Sequence, residues 1–196
     1  MAKLYFYYSA MNAGKSTVLL QSSYNYHERG MATLLFTPAI DTRYGKNTIA
    51  SRIGLTADAI SFDPSFNLFL FTENEYRNNQ NIKCVLVDEA QFLSKQQVKQ
   101  LTQITDQLNI PVLTYGIRSD FLGEPFPGSQ YLLVWADNII EIKTICHCGK
   151  KAIMNARIDE NGQMIKAGNQ VQIGGNERYV AMCRKHFDLA MSDTTQ

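Results

Sequence analysis

The stretch YYSAMNAGKST, residues 7–17, carries Gly14, Lys15 and Ser16 in the spacing of a glycine-rich phosphate loop. In such a loop backbone N–H groups wrap the β-phosphate, the lysine reaches the β- and γ-phosphates, and the hydroxyl takes Mg²⁺. The full pattern GxxxxGK[ST] wants glycine where this chain has Ser9, a tolerated though less permissive turn residue. A second set of groups closes VLVDEAQ, residues 85–91, where an apolar run ends in Asp88 and Glu89. A carboxylate in the position of Asp88 holds Mg²⁺ beside the loop, and Glu89 is then aimed near the γ-phosphate, where it can orient a nucleophile and accept its proton. A strand ending in two acids can also be no more than a solvated turn; behind a phosphate loop the metal reading is the stronger one.

The third set is Cys146 and Cys148 in CHC with Cys183 and His186 in CRKH. Three thiolates and one imidazole make the Cys₃His set of a closed, structural tetrahedral zinc site, with no open position for catalysis. The Cys-x-Cys gap is shorter than usual and His147 competes as a ligand; the alternative is buried free cysteines with a surface histidine. The 34 residues between Cys148 and Cys183 hold too few large apolar groups for a core of their own. Zinc would clasp their ends and let the middle drape over a ligand, with main chain from QVQIGG and the ring of Tyr179 suited to a nucleobase. Cys84, opening CVLV, reads as a small buried hydrophobe.

Positioning these groups requires a frame. KLYFYY, residues 3–8, is a continuous apolar run expected of a strand buried on both faces, and the loop follows it directly. Thr17, Leu19, Leu20 and Tyr24 then recur at helical spacing, and Gly30 is placed to end the helix. ATLLFT, 32–37, is a second strand, followed by a long polar excursion through IDTRYGKNTIASRIGL. KCVLVDEAQF, 83–92, is a third strand, and the helix after it opens on Ser94 and Gln97 at capping-box spacing. IPVLTYG, 110–116, and NIIEIKT, 138–144, add two more. Alternating strands and helices give an α/β fold, a parallel sheet flanked by helices. The character changes near residue 144: residues 1–144 form a nucleotide-binding domain, 145–187 a small zinc-clasped domain with DENGQ at a hairpin tip, and 188–196 a polar tail.

Composition narrows the function classes. The 196 residues are 45% hydrophobic, enough for a packed core. Nineteen basic against 18 acidic residues give no field for nucleic acid or anionic membrane. No apolar run approaches a membrane span and the start is too short for a signal sequence, so the expected location is the cytoplasm and no membrane partner is expected. A nucleic-acid-dependent ATPase, suggested by DEAQ, would need a second domain of the same kind, for which the chain has no room.

Taken in order, SAMNAGKST, DTRYG, SRIGL, VLVDEAQF, GSQYLL, KTICHCGKKA and IGGNERYVAMCRKH resemble the type II, cytosolic, zinc-containing thymidine kinases, in their bacterial branch. The resemblance runs from Lys3 to about Phe187. It implies a P-loop NTPase fold of RecA-like type with a zinc-bound "lasso", and transfer of the ATP γ-phosphoryl group to the 5′-hydroxyl of thymidine or deoxyuridine. By position, Ser9, Ala10, Met11, Asn12, Ala13, Gly14, Lys15 and Ser16 would be the ATP loop. Asp88, Glu89, Ala90 and Gln91 would form the second ATP and Mg²⁺ segment, with Glu89 as base. Asp41, Thr42 and Arg43 would contact nucleotide, Arg43 as a phosphate partner. Phe121 would pack on thymine, Gln170, Val171, Gln172, Ile173 and Gly174 would hold the base by main chain, and Tyr179 would touch the nucleoside. A homotetramer and feedback inhibition by thymidine triphosphate are implied as well, and no nucleic-acid partner.

Overall fold

The computed structural model describes residues 1–43, 45–170 and 178–192. The aromatic run at the start forms β1 (Leu4–Ser9), and the phosphate loop leads into α1 (Lys15–His27). Then come β2 (Ala32–Pro38), a short hairpin β3 (Thr48–Ala50) and β4 (Thr56–Asp58), β5 (Ile60–Phe62) and α2 (Leu68–Asn78). β6 (Ile82–Val87) runs through Asp88 and Glu89 into a 3₁₀ turn, Ala90–Phe92, before α3 (Lys95–Leu108). β7 (Val112–Ile117), α4 (Pro127–Trp135) and β8 (Asn138–Glu141) complete the larger part. The remainder is β9 (Thr144–Ile145), β10 (Lys151–Ala152), β11 (Met154–Arg157), β12 (Tyr179–Met182) and α5 (Arg184–Ser192).

Six strands make the main sheet in the order β5-β2-β6-β7-β1-β8, and every pairing in it is parallel. Alternation along the strands feeds two cores. Leu4, Phe6, Leu34, Phe36, Val85 and Val87 pack with Leu68, Val98, Leu101, Ile104 and Leu132 of α2, α3 and α4. Leu35, Cys84, Leu86 and Tyr115 face the other way, onto Leu19 and Leu20 of α1 and Ile49 of the hairpin. Cys84 is thus a buried core residue, as its neighbours suggest, and burial pushes its thiol up to about 12. Each such large side chain contributes about 1.5–3 kcal/mol by burial, so a sheet covered on both faces is a stiff platform.

The expected strands and helices form, with informative differences at their ends. Tyr24 stands exposed, and Ser23 takes the sheet-facing place beside it, bonded to Thr33 at 2.8 Å. Gly30, at φ 71°, closes the turn that leaves α1 by donating to His27 O. The capping box of α3 is complete: Ser94 Oγ accepts from Gln97 N, and Gln97 Oε1 from Ser94 N. Strand β6 ends at Val87, directly before the two carboxylates as expected, and Glu89 then turns left-handed at φ 47°. The last strand of the sheet ends at Glu141, and the chain resumes pairing at Thr144 against a different partner, β10. DENGQ is a tight turn in which Asp159 Oδ1 accepts the N–H groups of Asn161 and Gln163. Helices α2, α4 and α5, strand β5 and the β3–β4 hairpin are additions to the elements expected from sequence.

Candidate active site

The phosphate loop begins where β1 runs out and must turn sharply into α1. Asn12 and Gly14 make that turn with left-handed φ of 64° and 85°. Lys15 is buried, and its Nζ donates to Ser9 Oγ at 3.0 Å and to Ala10 O at 3.2 Å. Ser9 is therefore more than a turn residue: its hydroxyl donates to Ala10 O at 2.7 Å and accepts from the lysine. Burial pushes the Lys15 ammonium below its ordinary range, opposed by the charges of Glu89 and Asp88. A polyphosphate reaching this loop would meet a cation held on two neutral oxygens.

Strand order explains the next contact. β1 and β6 lie on either side of β7, so the start of α1 and the end of β6 face each other across one strand. Ser16 Oγ donates to Asp88 Oδ2 at 3.0 Å. Asp88 is 5% exposed; burial first, then the charge of Glu89, pushes its carboxyl well above the usual carboxylate range. A buried carboxylate and a hydroxyl at one spot are hard oxygen donors of the kind that suits Mg²⁺.

Glu89 is held by backbone and side chain together. Its left-handed φ costs about 1–3 kcal/mol for a non-glycine residue. Its N–H donates to Asp88 Oδ1 at 3.0 Å. Its carboxylate takes Arg43 Nη2 on Oε1 at 2.6 Å and Gln91 Nε2 on Oε2. A carboxylate has about four acceptor positions, so room remains for a substrate hydroxyl. Arg43 forks onto Asp41 as well, with Nε on Oδ1 at 2.7 Å and Nη2 on Oδ2 at 2.6 Å. Burial raises the Asp41 carboxyl, but the Arg43 hydrogen bonds and charge outweigh it and hold the group below its ordinary value. Gln91 is tied to β7 through Oε1, which accepts Ile117 N–H at 3.2 Å. The turn lies so close to its neighbours that a Cβ on Gly128 of α4 would come within 2.5–2.8 Å of the carbonyl oxygens of Ala90, Gln91 and Leu93.

Loop, base candidate and aromatic groups open onto one cavity of about 310 Å³, at the lower end of the range for small-molecule sites. Met11, Asn12, Gly14, Lys15, Ser16, Asp41, Arg43, Asp88, Glu89 and Gln91 all line it, as do Phe121, Gln170 and Tyr179. Ser9, Ala10, Ala13, Thr42 and Ala90 do not; Ser9 and Ala10 act from behind, by holding Lys15. Val171, Gln172, Ile173 and Gly174 lie outside the described residues.

Sequence reasoning passed over several residues that the fold brings here. Asn155 of β11 is 2% exposed and lines the cavity. Its Oδ1 accepts Met11 N–H at 2.7 Å and its Nδ2 donates to Ser119 O at 2.9 Å, joining the phosphate loop to the segment before Phe121. Asn12 Nδ2 adds a bond to Tyr179 O at 3.1 Å. Asp120 folds the chain around Phe121 by accepting Leu122 N–H and Glu124 N–H, both at 2.9 Å. Arg52, between β3 and β4, also lines the cavity. Of Asn155, Asp120 and Arg52, only Arg52, inside SRIGL, carried a sequence signal.

The cysteine and histidine set also assembles. Ligand atoms of Cys146, Cys148, Cys183 and His186 lie within 4.8 Å of one another. Cys148 Sγ and Cys183 Sγ are 3.9 Å apart, and His186 Nδ1 is 3.3 Å from Cys146 Sγ and 3.6 Å from Cys183 Sγ. A tetrahedron with zinc–sulfur bonds of about 2.3 Å has edges of about 3.8 Å, so the donor set fits zinc. His147 stacks on His186 with ring centroids 4.3 Å apart and is not one of the four converging groups. β9–β10 and β11–β12 carry the two halves of the clasp together.

Comparison with known proteins gives the chain's family. A family model described as thymidine kinase matches residues 2–187. A thymidine kinase of Legionella pneumophila strain Philadelphia 1 is 66% identical over 195 residues, covering 100% of this chain and 93% of the relative. That of Coxiella burnetii is 62% identical over 196 residues, covering 100% of both chains. That of Shewanella oneidensis is 62% identical over 187 residues, covering 95% of this chain and 97% of the relative.

Proposed function

Because the chain belongs to the thymidine kinase family, we propose that its cavity binds ATP and thymidine together and passes the γ-phosphoryl group to the nucleoside 5′-hydroxyl. The observation that carries the reading is the junction of Ser16 with Asp88 at 3.0 Å, with Glu89 the next residue along the chain. It supports the reading because the Ser16 hydroxyl and the two carboxylates then meet at one end of a parallel sheet, where such sheets bind ligands.

In this reading the amides of residues 10–16 and the ammonium of Lys15 take the β- and γ-phosphates, Lys15 leaving Ser9 and Ala10 to do so. Mg²⁺, when bound by Ser16 and Asp88, would neutralise charge on the phosphate oxygens. Glu89 accepts the proton of the 5′-hydroxyl as that oxygen attacks the γ-phosphorus. The bond from phosphorus to the β–γ bridging oxygen breaks, and ADP leaves with the electron pair. Arg43 keeps Glu89 oriented and lies within reach of the group in transfer. Phe121 packs on thymine, Tyr179 and the main chain of residues 170–174 complete the nucleoside site, and Cys146, Cys148, Cys183 and His186 hold a structural zinc. Residues 145–187 then act as a clasped unit over the nucleotide-binding domain of residues 1–144; the polar stretch expected as a tail from 188 instead continues α5 to Ser192. Deoxyuridine as a second acceptor, a homotetramer, inhibition by thymidine triphosphate and a cytoplasmic location belong to the same reading. No helix among the described residues is long and apolar enough to cross a membrane.

The test is turnover. Purified protein with labelled ATP and a nucleoside panel should form thymidine monophosphate, and adding DNA or RNA should not stimulate ATP hydrolysis. Glu89→Gln should lose about 10²–10⁴-fold in kcat with ATP affinity little changed. Stimulation by nucleic acid without nucleoside phosphorylation would favour an ATPase, and unaltered kcat in the variant would remove Glu89 from the chemistry.

A further inference from the structure

Arg157 ends β11 and is only 5% exposed. Among the described residues it has no ion pair, and its Nε is buried without a hydrogen-bond partner. Its guanidinium lies over a different kind of group: Cζ sits 3.8 Å from the centroid of the Phe121 ring. The ends of the guanidinium meet main chain. Nη1 donates to Asn169 O at 3.3 Å, and a Cβ on Gly168 would come within 2.7 Å of Nη2. Register places Arg157 directly opposite Tyr179, so the two side chains share a face of the β11–β12 ribbon. Phe121, Gln170 and Tyr179, which line the cavity, are thus each in contact with Arg157, next to a residue it holds, or paired with it across the ribbon.

Burying a cation this way is costly, and nothing in the phosphate site uses it: Arg157 does not line the cavity. It does bridge the Phe121 ring, which lines the cavity, and the chain at residues 168–169, which leads into Gln170, another lining residue. We infer that Arg157 is a positioning residue for the nucleoside: a flat strut between the Phe121 ring and the chain at residues 168–169 that fixes the width of the base slot. This rests on the reading of Phe121 as the surface on which the base packs. A strut of this kind sets selectivity among pyrimidines, because the fit around a ring substituent depends on slot width. It leaves the ATP side alone.

Arginine suits the task where lysine does not. The guanidinium is planar and stacks on a ring while donating sideways, whereas an ammonium offers a point charge and no flat face. Arg157→Met retains the apolar stem and removes the plate. It should raise the thymidine KM about tenfold, leave the ATP KM within about twofold and lower kcat less than about threefold. The ratio of kcat/KM for thymidine over deoxyuridine, which differ at one ring substituent, should shift by at least about threefold. Arg157→Lys should recover less than half of the lost affinity. Gly168→Ala, which drives a Cβ toward Nη2 and also strains a backbone held at φ 133°, should give the same split; where Arg157→Met does not fold, Arg157→Gln, which removes the charge and shortens the plate, takes its place. Zinc content, measured on each variant, should stay at the wild-type level.

Equal rises in the ATP and thymidine KM values, no change in either, an unaltered nucleoside ratio, or full rescue by lysine would each overturn the strut. Phe121→Leu separates the two layers of the argument. If it leaves the thymidine KM unchanged, the base-packing reading fails; if it raises the KM strongly while Arg157→Met does nothing, only the strut fails.

Discussion

Gly128 offers the sharpest test of how Glu89 is placed, because it touches neither nucleotide nor base. An alanine there would put its Cβ 2.5 Å from Ala90 O, 2.7 Å from Gln91 O and 2.8 Å from Leu93 O. Ordinary contact begins at 3.4 Å, so about 0.9 Å must open at the tightest of the three. Neither side can yield as a rotating side chain: α4 is anchored by Leu132 in the core and Ser129 bonded to Ile117 O, and the opposing atoms are backbone. The displacement falls on the 3₁₀ turn that begins at Ala90, and with it on Glu89 and Gln91. A misplacement of about 1 Å in a catalytic group costs up to about 10²-fold, so Gly128→Ala should lower kcat by about 10- to 100-fold. Overpacking should also cost about 1–3 kcal/mol of stability, a drop in Tm of roughly 2–12 °C for a chain of this size. Single-turnover rates with saturating ATP and thymidine, measured well below the lowered Tm, isolate the chemical step. A normal rate in a protein whose Tm has fallen would show that α4 does not set the position of Glu89.

Two further outcomes are expected. Ser9→Gly removes the hydroxyl on which Lys15 rests; since ATP would draw Lys15 away from that hydroxyl, ATP affinity should change by less than about threefold while nucleotide-free stability falls by about 1 kcal/mol. Equilibrium binding and denaturant titration read the two, and a tenfold loss of affinity would mean that Ser9 contacts nucleotide itself. Cys183→Ser should abolish stoichiometric zinc and raise the thymidine KM much more than the ATP KM; full zinc by elemental analysis with normal kinetics would dismiss Cys183 as a ligand.

Local signals were legible and long-range ones were not. β1, the loop and the start of α1 are contiguous, so glycine, lysine and an aromatic run announce them together. The α3 cap was legible because a capping box is complete within four residues. Helix α2 carries its own cap, Asn67 Oδ1 accepting Leu70 N–H at 3.0 Å, but its aromatic-rich start hides the helical period. Strands β3 and β4 have three residues each, too few to show alternation. Asn155 meets Met11 from 144 positions away, and no local pattern in MNAR marks either it or Arg157. The left-handed turn at Glu89 escaped for a different reason: glutamate has no preference for that conformation, and surrounding packing imposes it.

The order of the main sheet bears on how such a chain can diversify. With β7 between them, β1 and β6 stand two strand spacings apart, about 9.6 Å. That interval is ruled in backbone hydrogen bonds, so no change of side chain can rescale it. Mutation is free to rewrite what hangs from the strand ends: Asp41 and Arg43 after β2, Glu89 and Gln91 after β6, Phe121 after β7. New acceptor preferences can accumulate there while the distance between phosphate loop and carboxylates is inherited unchanged.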